Sequence, residues 1–293
     1  MRILYIILML TFLNVKAQER VLISETDSIN IYETYLSINT TNNIFPSKYK
    51  NGLLYLSSHK STNSHLFYSN LNSKPKKIKI DKRFKSGSVN VFKNEIYVTA
   101  TSKNMDSFGF FNLAIYKGII EDLKVSNFSI LPICKNEFSY ADPVISNDGN
   151  LMVIVTNEND RYHLLELKRT ENNEWERGSV IYIAHPNFKI INPTIYDENT
   201  IYFSSNIYNG ELTSVVYENI DGNLKMVEKK RETGVFNIYK IERKNGTWGI
   251  PIKATRFNSE FDELGVLFTT KSSGYLTTYR FNNNDNIYYF ELK

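Results

Sequence analysis

The feature that most constrains this chain is a strand-turn-strand pattern at Ala141–Asn157, ADPVISNDGNLMVIVTN, which returns four more times. Pro143 opens an extended segment, Asp148-Gly149 supplies a tight turn, and Leu151–Val155 is an apolar run with strand-forming side chains. The relatives of this unit are Pro46–His59 with a turn at Asn51-Gly52, Ser88–Thr101 turning at Lys93-Asn94, Pro193–Asn206 turning near Asp197–Asn199, and Leu264–Arg280, which lacks the proline. Several strands recurring at roughly 40–50 residues are the period of propeller blades.

Each unit continues. A third strand-like run follows in Leu66–Leu71, Asn112–Tyr116, Tyr162–Lys168, Asn237–Glu242 and Asn286–Leu292. A fourth follows in Lys76–Ile80, Leu123–Leu131, Trp175–Ile183 and Trp248–Lys253, the last two headed by the chain's two tryptophans. No window combines helical apolar spacing with capping residues. The expected fold is therefore all-β: a β-propeller of about five four-stranded antiparallel blades, with six remaining open if Ile29–Ile38 belongs to a degenerate extra blade. The fifth unit ends after its third strand, which would leave an unpaired edge. Arg20–Thr26 or Ile29–Ile38 is expected to pair there and close the ring.

Residues 1–17 stand apart. Arg2, the apolar run Ile3–Leu13 and the small residues of Val15-Lys16-Ala17 read as a secretory signal peptide, too short in its apolar part to span about 30 Å of hydrocarbon. The propeller domain is expected to occupy 18–293, with an insertion at 207–233 carrying its own hairpin pattern about Asp221-Gly222. The expectation is an extracytoplasmic protein, periplasmic, outer-membrane-associated or secreted, with no membrane span once the signal is removed. The formal charge of +4 falls toward balance when Arg2 and Lys16 go, and together with export this argues against nucleic acid. A lone cysteine, Cys134, excludes an internal disulfide and reads as a small apolar filler.

From Phe236 to Leu292 the chain resembles the WD40-like, TolB-type propeller repeat of exported proteins in the Bacteroidota. The carrying residues are Asn237-Ile238-Tyr239, Thr247-Trp248 with Pro251, Asn258 with Asp262-Glu263, Pro143 with Ser146-Asn147-Asp148-Gly149, and Tyr202-Phe203-Ser204-Ser205-Asn206. The resemblance implies a propeller over most of 44–292 and leaves function open, since propellers host many activities. It also implies that acidic residues at the strand heads link neighbouring blades.

Residues heading the inner strands face a channel mouth: Asp142, Asn192, Asp262 and Glu263 are the candidate binding residues. A glycan-hydrolysing propeller would converge an acid and a base or nucleophile there, yet the corresponding positions in the first two units are Phe45 and Gly87. The histidines His59, His65, His163 and His185 have no metal-ligand spacing, and neither a Gly-x-Ser-x-Gly elbow nor a phosphate-cradling loop occurs. No catalytic residue, metal or cofactor is expected. The basic run Lys74–Lys85 alternates as an outer strand whose lysines block edge pairing, with contact to anionic envelope polymers as its other reading. The reading that results is a binding or scaffolding module with an envelope protein as partner; the alternative is a glycan-binding or glycan-hydrolysing propeller.

Overall fold

Strands such as Glu95–Thr101 (EIYVTAT) and Leu151–Thr156 (LMVIVT) are apolar at consecutive positions, so both of their faces must be covered. In the computed structural model both are, each by a neighbouring sheet. The structure describes residues 20–37, 41–59, 64–70, 74–81, 86–186, 188–207, 212–231 and 235–293. The proposed signal peptide and Lys82–Lys85 lie outside the described residues.

The chain begins with β1 (Leu22–Glu25) and β2 (Ile29–Tyr32), which return to complete the last sheet. Blade 1 is β3 (Thr41–Tyr49), β4 (Gly52–His59), β5 (His65–Ser69) and β6 (Lys76–Lys77). Blade 2 is β7 (Ser86–Phe92), β8 (Glu95–Thr101), β9 (Leu113–Glu121) and β10 (Lys124–Ile130). Blade 3 is β11 (Tyr140–Ile145), β12 (Leu151–Thr156), β13 (His163–Arg169) and β14 (Trp175–Ile183). Blade 4 has β15 (Ile190–Asp197) and β16 (Thr200–Ser205), and an inserted ribbon of β17 (Leu212–Ile220) and β18 (Asn223–Arg231) follows them. It then resumes with β19 (Asn237–Lys244) and a broken outer strand, β20 (Thr247–Trp248) and β21 (Ile252–Lys253). Blade 5 is β22 (Glu263–Phe268), β23 (Ser273–Thr278) and β24 (Asn286–Leu292), extended by β2 and then β1.

The ring closes through β2, which pairs with β24 from Ile29↔Leu292 to Tyr32↔Tyr289. The expectation of one closing strand is exceeded, because β1 adds outside β2. Ile29–Tyr32 therefore belongs to blade 5, and the count is five rather than six. The inner strands pack in a cycle, β3 on β7, β7 on β11, β11 on β15, β15 on β22, and β22 back on β3.

A separate apolar core fills each of the five seams. Side-chain alternation explains how one strand serves two seams: Ile96 and Val98 point toward blade 1, while Tyr97 points toward blade 3. Likewise Met152 and Ile154 face blade 2, and Val153 and Val155 face blade 4. The closing strand contributes Ile29 and Ile31 to the seam between blades 4 and 5.

Turn chemistry follows the sequence in most blades. In blade 1 the turn sits one residue early: Lys50 takes the left-handed φ of 49° and Gly52 begins β4. Glycine is needed there because a Cβ would lie 2.1 Å from the Ser69 carbonyl oxygen. The ribbon turns at Asp221-Gly222 with φ of 52° and 81°, the paired left-handed geometry of a two-residue hairpin. Among the described residues it pairs only with itself.

The basic run is the outer edge of blade 1, with Lys76, Lys77 and Lys79 exposed and Ile78 buried. At Lys79 it leaves the blade and bridges β10 of blade 2. Cys134 is half-buried against the seam between blades 2 and 3, and burial pushes its thiol up to about 11. Among the described residues no helix is long and apolar enough to cross a membrane.

Candidate functional site

Antiparallel pairing puts the two ends of the ring to different use. On the lower face, short turns join the first strand to the second and the third to the fourth, as at 93–94 and 122–123. On the upper face, where every inner strand begins, the second-to-third connections are long: 102–112 in blade 2, 157–162 in blade 3, 206–236 in blade 4 and 279–285 in blade 5. Long loops on a rigid scaffold are where binding residues concentrate.

All five inner strands carry a bulge at one equivalent place, one extra residue against β4, β8, β12, β16 and β23. In blades 1, 3 and 4 the bulge residue precedes a proline and takes a left-handed φ: Phe45 at 58°, Asp142 at 53° and Asn192 at 47°. Aspartate and asparagine accept this region more readily than other side chains, while Phe45 is a strained exception. The bulges line a narrow axial channel with a cavity volume of about 50 Å³.

Of the four sequence candidates, the structure brings two to that channel. Asp142 Oδ1 accepts from the Ser88 hydroxyl of blade 2, and Oδ2 accepts the Asn192 N–H of blade 4 at 2.9 Å. Its own N–H donates to Thr99 Oγ1 at 2.9 Å. Asn192 Nδ2 passes the linkage on to the Leu264 carbonyl of blade 5 at 2.7 Å. Asp142 therefore ties three blades at the axis, and burial pushes its carboxyl above the ordinary aspartate value.

Asp262 and Glu263 lie elsewhere, between blades 4 and 5. Asp262 Oδ1 accepts the N–H of Phe236, where the chain returns from the inserted ribbon, at 2.7 Å. The Glu263 carboxylate is fully buried; Oε1 accepts from Arg280 at 2.7 Å and from Ser259 Oγ at 2.6 Å, and Oε2 has no partner. Burial outweighs Arg280 and pushes this carboxyl up to about 7. Sequence reasoning passed over Asp285, whose carboxyl is raised by burial and secondly by the negative charge of Asp262. It sits in an asparagine-rich turn that reads as a linker.

The other missed feature is an aromatic finger. The loop at 102–112 exposes Met105, Phe108, Phe110 and Phe111, at 54%, 84%, 66% and 50%. It is pinned from within: Asp106 Oδ1 accepts the N–H groups of Phe108 (2.8 Å) and Phe110 (2.9 Å), Asp106 Oδ2 accepts from Asn112 Nδ2, and Gly109 takes a φ of 85°. Hydrogen bonds from Asn112 to the Asn136 carbonyl and from Ser139 to Asn112 fasten its base to blade 3. Apolar side chains held rigidly in solvent are unexplained by folding. The sequence signal was Phe-Gly-Phe-Phe in a segment without strand alternation.

No family model matches the chain, and no curated protein matches it in sequence. Among solved structures it is similar to a Bombyx mori GH32 β-fructofuranosidase, with 10% identity and a TM-score of 0.50 over 84% of this chain and 58% of that chain. It is also similar to a thermostable family-43 glycoside hydrolase, with 13% identity and a TM-score of 0.50 over 88% of this chain and 92% of that one. TolB from Acinetobacter baumannii matches with 10% identity and a TM-score of 0.46 over 86% of this chain and 56% of that chain. The chain thus spans under two thirds of the fructofuranosidase and of TolB. Likeness at such identities speaks to the propeller fold alone. It places TolB-type and other propellers among the chain's structural neighbours without selecting a function.

Proposed function

We propose that this propeller is a protein-binding module of the cell envelope whose contact face is the upper one. The observation that carries this reading is the aromatic finger, three exposed phenylalanines and a methionine on a loop fixed by Asp106. Protein interfaces are enriched in aromatic residues and methionine, and a preorganised loop loses little entropy on binding. The inserted ribbon emerges from the same face and extends the available surface. The envelope location rests on the N-terminal signal pattern and on the resemblance to exported TolB-type repeats. The fold neighbours are equally compatible with a glycan-active propeller. Against that reading, Asp142 and Glu263 are each committed to hydrogen bonds within the scaffold, and only Asp142 lines the channel.

The test is site-specific photocrosslinking in the native envelope, with the crosslinker at Phe110 and a control at Lys93 on the lower face. One stoichiometric protein partner captured from position 110 and absent from position 93 is expected, with capture lost when Phe108 and Phe111 become serine. Equal capture from both faces would sink the reading. So would polysaccharide binding by the purified protein that is lost in Asp142→Asn while the fold persists.

A further inference from the structure

On the outer rim of blade 3 lies a cavity that neither the axis nor the finger explains. It measures about 390 Å³, within the range of small-ligand sites, against about 50 Å³ for the channel. Its floor is a buried ion cluster. Glu158, 8% exposed in its side chain, accepts from Tyr140 Oη at 2.7 Å and Arg177 Nη1 at 2.7 Å, and a second Arg177 nitrogen reaches its other oxygen. His163 Nε2 stands 3.8 Å from the same carboxylate, and its Nδ1 lies 3.0 Å from the Arg161 carbonyl. Arginine holds Glu158 down at about 2, so this carboxylate stays ionised and neutralises Arg177.

The cavity retains one cation without a counter-charge. Arg161 is exposed, lines the cavity, and has no side-chain hydrogen bond or ion pair among the described residues. It is carried there by an unusual backbone, Asn159 and Asp160 in succession at φ of 56° and 58°. Asparagine and aspartate accept this region more readily than other side chains. The Asp160 side chain, the nearest acid in sequence, does not line the cavity. The apolar part of the lining is Val180 and Ile183 of β14, 41% and 49% exposed, an edge-strand arrangement that folding does not require. Arg177 is itself 44% exposed and lines the cavity, and its guanidinium has donors that Glu158 does not use.

We propose that this cavity binds a small carboxylate-bearing ligand with an apolar body. The carboxylate sits on Arg161 and the outer edge of Arg177, and the apolar body lies against Val180 and Ile183. Arginine is suited to this because its planar fork matches a carboxylate, and Glu158 fixes one of the two forks in place. The ligand class follows from one uncompensated positive charge beside an aliphatic wall. The site is independent of the aromatic finger and of the partner that the finger would recognise.

The test uses the purified chain, with 4-methylpentanoate as probe and 4-methylpentanamide and inorganic phosphate as controls, followed by saturation-transfer NMR and calorimetry. The carboxylate is expected to bind at least tenfold more tightly than the isosteric amide, and more tightly than phosphate. Arg161→Gln should weaken binding at least tenfold with an unchanged melting temperature, because that side chain is exposed and unpartnered. Ile183→Ser should weaken the carboxylate and leave phosphate unaffected, and serine substitutions in the finger should change nothing. Equal binding of acid and amide, undiminished binding by Arg161→Gln, phosphate as the tightest ligand, or no saturation by the carboxylate would each overturn the proposal.

Discussion

Replacing Asp142 separates a hydrogen-bonding role at the axis from a catalytic one. In Asp142→Ala the Asn192 N–H and the Ser88 hydroxyl lose their acceptor. Each unsatisfied group in a desolvated wall costs about 1–3 kcal/mol. Ser88 Oγ keeps Thr99 Oγ1 at 3.0 Å, and the channel has room for a water, so the net loss is about 2–3 kcal/mol. For a chain of this size that lowers the melting temperature by roughly 5–10 °C. Asp142→Asn should behave differently. Its oxygen can accept from Asn192, and its amide can donate to Ser88, whose hydroxyl turns to donate to Thr99. Only the Thr99 hydroxyl, which donated to Ser88 before, must find a new acceptor, so the loss should be about 1 kcal/mol, well below that of alanine.

The charge adds a pH signature. Burial raises the Asp142 carboxyl in the folded state above its ordinary value of 3.8, so ionisation is less favourable folded than unfolded. The native protein then loses stability as pH rises from that value through the raised one. Asparagine has no such slope, so the small deficit of Asp142→Asn should shrink as pH rises through that window. Thermal and denaturant unfolding across pH 4–8 read all three outcomes. If asparagine is as damaging as alanine, the negative charge rather than the hydrogen-bond geometry holds the axis, and satisfied partners do not account for its stability.

Other positions give independent checks. Ile31→Ala, at a fully buried position of the closing strand, should cost about 3 kcal/mol by denaturant unfolding, and a loss under about 1 kcal/mol would put that strand outside the cooperative unit. Gly149→Ala should destabilise by about 2–4 kcal/mol, because its φ is 81° and a Cβ would meet the Phe92 ring at 2.2 Å; Phe92→Leu in the same chain should recover part of that loss. Glu158 is depressed to about 2 in the folded state from an ordinary 4.5, so its stabilisation is present above about pH 4.5 and drains away as pH falls toward 2. Acid unfolding of Glu158→Gln should lack that slope. Serine at Phe108, Phe110 and Phe111 together should leave the melting temperature within about 2 °C, since all three rings are solvent-exposed.

The propeller was legible because its determinants are local and repeated. Turn pairs such as Asp148-Gly149 and Asp221-Gly222, and strands apolar on both faces, have one physical meaning wherever they recur. The missing fourth strand of the last unit was legible for the same reason, since an open edge demands a partner. The second added strand was not, because Leu22–Glu25 is short and only modestly apolar and nothing in it demands pairing outside β2. The site was less legible. The dipeptides Phe45-Pro46, Asp142-Pro143 and Asn192-Pro193 marked the strand heads, but their bulged, left-handed backbone arises from seating five inner strands about one axis. Asp142 and Asp262 look alike in sequence, yet one ties three blades and the other anchors the return of the inserted ribbon.

The bulges also bear on where this molecule can bind anything. One extra residue on every inner strand turns side chains toward the axis and leaves a cavity of about 50 Å³, well below the few hundred that a small organic ligand fills. The side chains placed there spend their hydrogen bonds within the scaffold: Ser88 on Asp142, Asp142 also on the Asn192 N–H, and Asn192 on the Leu264 carbonyl. The same regularity that seals the axis frees the periphery, because a blade held by two seams tolerates long loops and an undercut outer rim. The unexplained features collect there: the pinned phenylalanines of blade 2, and the unpaired Arg161 beside the aliphatic edge of blade 3. Ser139 lies between the roots of the two loops that carry them, donating its N–H to Asn157 Oδ1 at 2.6 Å and accepting the N–H of Leu113 at 3.1 Å. On the two proposals made above, the surfaces that would recognise another molecule spread outward from the seam between blades 2 and 3, while the hydrogen bonds at the channel tie blades together.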